Sequence, residues 1–356
     1  MSTNLSKDMN ADMGADMTPT PQANAGKIAR TTTPVNTMKW LIRRELWEHK
    51  GAFFWAPLAV SVVLVLLLGG GFLYGMMHSG SFQFQMDEGQ MVAVHGVPHA
   101  MYGRLASIVA SSYLAVAAPL FLVLPVVVFF YCLAALYDDR RDRSILFWKS
   151  LPLSDRDTVL SKVIVALVVA PLVVIGIGVA TSLVLLALGL ISAALNDINL
   201  IVPVLSDIRL YLSPLYLLSF LPLYILWGLP TVGWLLLVSS WARSKVFLWA
   251  VGAPVVLLAI LSWFDFLMGR FSGVSLGAKW FGNEIVARVL GGVVPGIWFG
   301  EVNTRALSQM NGGLDAGVLL SISYSTLASP GVWIAAAAGC AMIAGAVRLR
   351  RWRDEG

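Results

Sequence analysis

Three aspartates stand in the spacing Asp-Asp-x-x-Asp within "DDRRD": Asp138, Asp139 and Asp142, with Arg140 and Arg141 between them. Carboxylates so spaced can share one helical face and hold magnesium, and the guanidinium groups can take phosphate oxygens. Binding of a diphosphate is the chemistry that follows. Other reactive types are sparser. His95 and His99 are four apart, but Gly96 and Pro98 disfavour a regular helix between them and no third ligand lies nearby. Met9, Met13 and Met17 recur every four residues in a low-complexity segment and read as tail rather than as a soft-metal site. Cys132 and Cys340 lack metal-type spacing and are expected to be buried thiols. No metal site is expected. A phosphate-cradling loop needs GxxxxGK followed by Ser or Thr. "GVSLGAKW" (273–280) lacks that pairing, so the chain is not expected to hydrolyse ATP.

The aspartates belong to an island of charge that the flanking chain must position. Residues 137–162 carry eleven charged side chains, five acidic and six basic, between uncharged stretches at 105–137 and 163–196. The whole chain is 58% hydrophobic and 13% charged, whereas about a quarter of a globular domain is charged. That balance marks a membrane protein. Six stretches of 19 or more residues hold no Asp, Glu, Lys or Arg: 51–86, 105–137, 163–196, 210–242, 246–264 and 316–347. About 20 apolar helical residues cross a hydrocarbon core roughly 30 Å thick. Lipid leaves the backbone only intra-helical partners. The expected fold is all-α, a polytopic protein with six transmembrane helices near residues 53–77, 108–137, 160–194, 213–240, 246–267 and 329–348.

Residues 1–36 are expected to form a disordered cytoplasmic tail, and 37–356 a single membrane domain. The first apolar stretch starts only after residue 50, so no cleavable signal peptide is expected. With both termini cytoplasmic, 19 basic residues fall inside and 6 outside, in line with the positive-inside tendency. This places the chain in the cytoplasmic (inner) membrane and assigns its positive charge to lipid headgroups rather than to nucleic acid.

"MKWLIRRELWEHKG" (38–51) reads as a helix lying at the inner interface, or else as a cytoplasmic extension of the first span, with Lys39, Arg43 and Lys50 on one face, Trp40 and Trp47 on another, and Arg44 beside Arg43. Spans 2 and 3, about 33 residues each, would reach roughly 50 Å and bend at Pro119, Pro125 or Pro171. Between them "RDRSILFWKS" forms a short helix with an aromatic side. Pro152 then ends it at Leu151. Ser154 caps the next helix, with Asp155 and Asp157 in its first turn. Further on, "EIVARVLGGVVPGIWFG" (284–300) is too short to span and carries Arg288, which fits an interfacial or partly re-entrant helix. Two short outside helices are expected before span 6. Asp265, near the outer end of span 5, is read as facing headgroups, with a substrate contact as the alternative. Trp227, Gly228, Gly233 and Trp234 are expected to pack in the core, or else to line a contact between subunits.

These features together resemble a permease subunit of the ABC-2 type, the membrane half of an ATP-driven exporter. The residues that carry the resemblance are "LIRRELWEHK", "DDRRDRSILFWKSLPLSDRDTVLSK" after span 2, the six spans, and the short outside helices before the last. It covers the chain from about residue 38. In that family the segment between spans 2 and 3 is a cytoplasmic coupling helix seated on the ATPase. The resemblance therefore implies a contact made by Arg140, Arg141, Asp142, Arg143, Phe147, Trp148, Lys149, Leu151 and Pro152, with Lys162 at the top of the returning helix. It implies a cytoplasmic ATPase partner that binds ATP and magnesium, a second permease subunit, identical or related, and no cofactor on this chain. The family's usual acidic-basic-Gly-Thr motif is here Asp142, Arg143, Ser144 and Ile145, which leaves the subgroup and the cargo open. An apolar or amphipathic cargo suits spans nearly empty of charge.

The rival reading is a membrane-embedded prenyltransferase using Asp138, Asp139 and Asp142. Such enzymes resemble one another in a second aspartate-rich site, and the later inner loop offers only "WARSK". An ion-coupled carrier would need ionisable residues inside its spans.

Overall fold

The computed structural model describes residues 34–78, 83–85, 91–93, 99–141, 154–196, 198–271, 275–301 and 316–353. The chain divides into two compact units, residues up to Trp40 and Leu41–Gly356. The second holds six helices long and apolar enough to cross a membrane: span 1 (Gly51–Tyr74), span 2 (Met101–Arg141), span 3 (Asp155–Leu195), span 4 (Ile208–Trp241), span 5 (Leu248–Arg270) and span 6 (Pro330–Trp352). The chain is thus a polytopic, helical membrane protein. The amino-terminal helix, Pro34–Glu48, begins four residues before the expected Met38. One short antiparallel pair, β1 (Gln83–Gln85) with β2 (Met91–Ala93), joins spans 1 and 2.

Prolines account for much of the helices' irregularity. Proline lacks an N–H, and its ring clashes with the carbonyl four residues back; a wider π-type turn just ahead of it relieves both. Such turns occur at Gly51–Trp55 before Pro57, at Val165–Val169 before Pro171 and at Leu248–Gly252 before Pro254. Span 2 instead tightens to a 3-10 turn at Tyr113–Ala117, ahead of Pro119, while Pro125 sits inside the continuous helix Ala118–Arg141. Spans 2 and 3 each run 41 residues, about 60 Å at the standard rise. That is twice a hydrocarbon core, so both must project beyond it or tilt.

The core lies where spans 2, 3 and 4 meet, built on Leu120, Leu124, Val128, Leu136, Val159, Leu167, Leu223 and Leu235. Span 4 is its central post. Trp227, Gly228 and Gly233 are all buried there, and the indole N–H of Trp234 donates to the carbonyl of Ala250 at 2.9 Å, so these four residues pack the core. Span 6 lies against span 4 at backbone range: a Cβ placed on Gly339 would sit 2.6 Å from the carbonyl oxygen of Leu229, and one on Gly233 2.5 Å from that of Gly339. Span 5 is the opposite case, with none of its most apolar stretch buried. Cys132 is buried as expected, but Cys340 is exposed, because it lies on the face of span 6 turned from span 4.

After span 5 the chain folds back. Gly277, at φ +79°, opens a helical stretch from Ala278 to Gly291. Asp265 accepts the backbone N–H of Ala278 at 2.8 Å and that of Leu276, and the Ser275 hydroxyl at 3.3 Å. Its charge therefore caps the returning helix. Arg288 is buried at 6% exposure. Its guanidinium lies 5.0 Å from the Trp227 ring centre and 2.9 Å from Glu284, and its carbonyl accepts from the Thr231 hydroxyl at 2.6 Å. The stretch thus tucks against span 4, as a partly re-entrant helix would. A 3-10 turn at Ile297–Glu301 and a short apolar helix at Gly317–Ala328 precede span 6.

Candidate functional site

Spans 2 and 3 are joined by residues 142–153, called the hinge below. Asp142, Arg143, Phe147, Trp148, Lys149, Leu151 and Pro152 lie in it, outside the described residues, as do His95, the three recurring methionines and most of the expected tail. What the structure does describe is the ground on either side of the hinge.

The returning arm starts as its sequence dictates. Ser154 has extended backbone angles, and its hydroxyl accepts the N–H of Asp157 at 3.1 Å, with Asp155 and Asp157 in the first turn. The departing arm ends in Tyr137-Asp138-Asp139-Arg140-Arg141. Successive residues on a helix point about 100° apart, so they face different neighbours: Asp138 and Arg141 are exposed, Asp139 and Arg140 half-buried. Arg140 turns inward. Its guanidinium donates to the carbonyls of Ser239 and Ala242, the latter at 3.0 Å. The Ser239 hydroxyl in turn accepts the N–H of Leu136 at 3.1 Å and of Tyr137 at 3.0 Å. The hinge end of span 2 is thereby tied to that of span 4.

Asp139 faces a cluster of charge drawn from four segments. Its Oδ2 lies 3.5 Å from Lys162 Nζ of span 3 and 3.3 Å from Arg350 of span 6. Arg350 also donates from Nε to Asp155 Oδ1 at 3.2 Å. Lys162 donates to Glu45 Oε1 of the amino-terminal helix at 3.0 Å, and the other oxygen of Glu45 accepts the Tyr131 hydroxyl of span 2 at 2.9 Å. His49 and Phe53 close the apolar side, their ring centres 5.0 and 4.9 Å from that of Tyr131. Glu45 is 1% exposed and Lys162 2%. Charges so deeply buried persist only when paired and hydrogen-bonded, and here each has two partners.

Glu45, Tyr131, Asp155 and Arg350 were not among the residues expected at the site. For Glu45 a signal existed. Leu41, Ile42, Glu45, Leu46 and His49 form an i, i+4 stripe on the amino-terminal helix, and an acid in the middle of an apolar stripe implies a buried cation elsewhere. Leu41 is buried beside it, at 4% exposure. Trp40 and Trp47, expected on a separate face, are exposed at 69% and 65%. Arg43 is exposed, and Arg44 pairs with Glu48 at 3.4 Å.

Compared with known protein families, curated proteins and solved structures, the chain matches none. The cluster offers no exposed nucleophile, and among the described residues no three His, Cys, Asp or Glu side chains are grouped to hold a metal. The arrangement ties elements together: the facing ends of spans 2 and 3, the amino-terminal helix and span 6 share one set of charges.

Proposed function

We propose that the chain is the permease subunit of an ABC-2 type ATP-driven exporter, moving an apolar or amphipathic substrate across the cytoplasmic membrane. A separate ATPase subunit, holding ATP and magnesium, sits beneath the hinge, and a second permease subunit completes the pathway. Both termini and the hinge face the cytoplasm. The observation that carries this reading is the buried cluster of Glu45, Asp139, Lys162 and Arg350, which binds the roots of spans 2, 3 and 6 into one body where a push on residues 140–152 would arrive. Two further features support it. Spans 2 and 3 are long enough to stand proud of the bilayer, and the basic residues crowd at the hinge end, as the positive-inside tendency favours.

The same cluster weighs against prenyl transfer. Asp139, central to that motif, already faces Lys162 and Arg350, and Asp138 points elsewhere. The test is co-purification with a Walker-containing ATPase encoded beside this chain, followed by replacement of Arg141, Arg143 and Trp148 with Ala. Loss of association or of permease-stimulated hydrolysis is the expected result. Unchanged association and turnover in the triple variant removes the assignment, and magnesium-dependent consumption of an isoprenyl diphosphate by the chain alone replaces it.

A further inference from the structure

Glu45, which belongs to neither span 2 nor span 3, touches both. Oε2 takes the Tyr131 hydroxyl of span 2 at 2.9 Å, and Oε1 takes the ammonium of Lys162 on span 3 at 3.0 Å. The two oxygens of a carboxylate are rigidly spaced, and a hydrogen bond is lost once its length grows by more than about half an ångström. Sliding of span 3 along span 2 must therefore break one of the two bonds, whereas a displacement that spans 2 and 3 share carries the helix bearing Glu45 with it. Glu45 is buried, so a lost partner leaves a buried charge under-satisfied and breaking is the costlier course. Beyond Glu45 the chain passes through His49 and Phe53, both stacked edgewise on Tyr131, directly into span 1.

We propose that Glu45 is a positioning residue that clamps the amino-terminal helix to both hinge arms, so that displacement of the hinge is delivered to span 1 as well as to spans 2 and 3. The role given to this displacement rests on the permease reading above; the clamp itself does not. Leu41, Ile42 and Leu46 supply the apolar seating beside it. Asp139, shared by Lys162 and Arg350, makes the same connection onward to span 6. Four helices thus answer to one input.

The experiment is spin-label distance measurement on the full chain in lipid nanodiscs. Labels replace exposed Trp47 and exposed Leu160 (W47C, L160C) in a background carrying C132A and C340S. In the otherwise native chain the distance distribution is expected to be narrow. E45L should broaden it, raising a detached conformer from the 0.1–10% typical of minor states to a majority. E45Q keeps it narrow, because an amide can still accept from Lys162 and donate to the Tyr131 oxygen. A broad distribution in the native chain, or one in E45L as narrow as native, overturns the clamp. A second arm adds the ATPase and compares ADP with ADP and vanadate, using labels at Trp47 and Ile334. The native complex should show a nucleotide-dependent shift that E45L loses while the ATPase stays bound, and a shift that survives in E45L overturns transmission through Glu45. If the ATPase fails to associate but the first arm behaves as stated, the clamp stands and the permease reading falls.

Discussion

Two buried cations, Lys162 and Arg288, are neutralised in contrasting ways. Arg288 finds its carboxylate one turn away, on Glu284 of its own helix, and rests on Trp227. Lys162 reaches Glu45, 117 residues distant, and Arg350 of the same cluster reaches back 195 residues to Asp155 and 211 to Asp139. A local pair steadies the element that carries it. A pair made across the sequence fixes how elements sit against one another, and its loss is felt as misplacement of whole helices. The charge of the Ala278–Gly291 stretch is thus settled within its own helix, while the cluster of Glu45, Asp139, Lys162 and Arg350 ties separate helices together.

That contrast can be broken experimentally, beginning with the largest expected effect. Lys162→Met leaves Glu45 buried with only the Tyr131 hydroxyl and Asp139 with only Arg350, and removing one partner of such a set costs about 3–5 kcal/mol. Thermal unfolding in detergent should fall steeply, and Glu45→Leu added to Lys162→Met should recover much of the loss. No recovery would mean that the charges are not coupled. Arg288→Met should cost less, about 1–2 kcal/mol, because Glu284 is 40% exposed and returns to water while the methionine still covers Trp227. An effect as large as that of Lys162→Met would erase the distinction drawn here. Arg44→Ala removes a surface pair with Glu48 and should change stability by under about 0.5 kcal/mol. A larger drop in the same assay would show that Arg44 serves the cluster as well.

The spans were legible because a charge-free run of 19 or more residues has few uses outside lipid. A long apolar helix covers most of each of these runs, and that of span 2 extends back past Arg104 to Met101. The cap at Ser154 was equally plain, since a serine followed by two acids after Pro152 satisfies a purely local rule. Partnerships were not legible. The apolar stripe in "LIRRELWEHK" marks Glu45 as the acid that turns inward but does not say which cation it meets, and Arg350 in "RLRRWR" looks like any interfacial arginine. Both are settled by which helices pack together, and that packing depends on close contacts such as Gly233 with Gly339. Cys340 was misjudged for the same reason: span 6 buries its glycine face, and the next residue is turned out.

That glycine contact has a consequence of its own. Where two backbones touch, no side chains intervene to repack when one rod slips along the other, so spans 4 and 6 have a single register. They form a rigid pair, so whatever reaches span 6 through Asp139 and Arg350 moves span 4 with it.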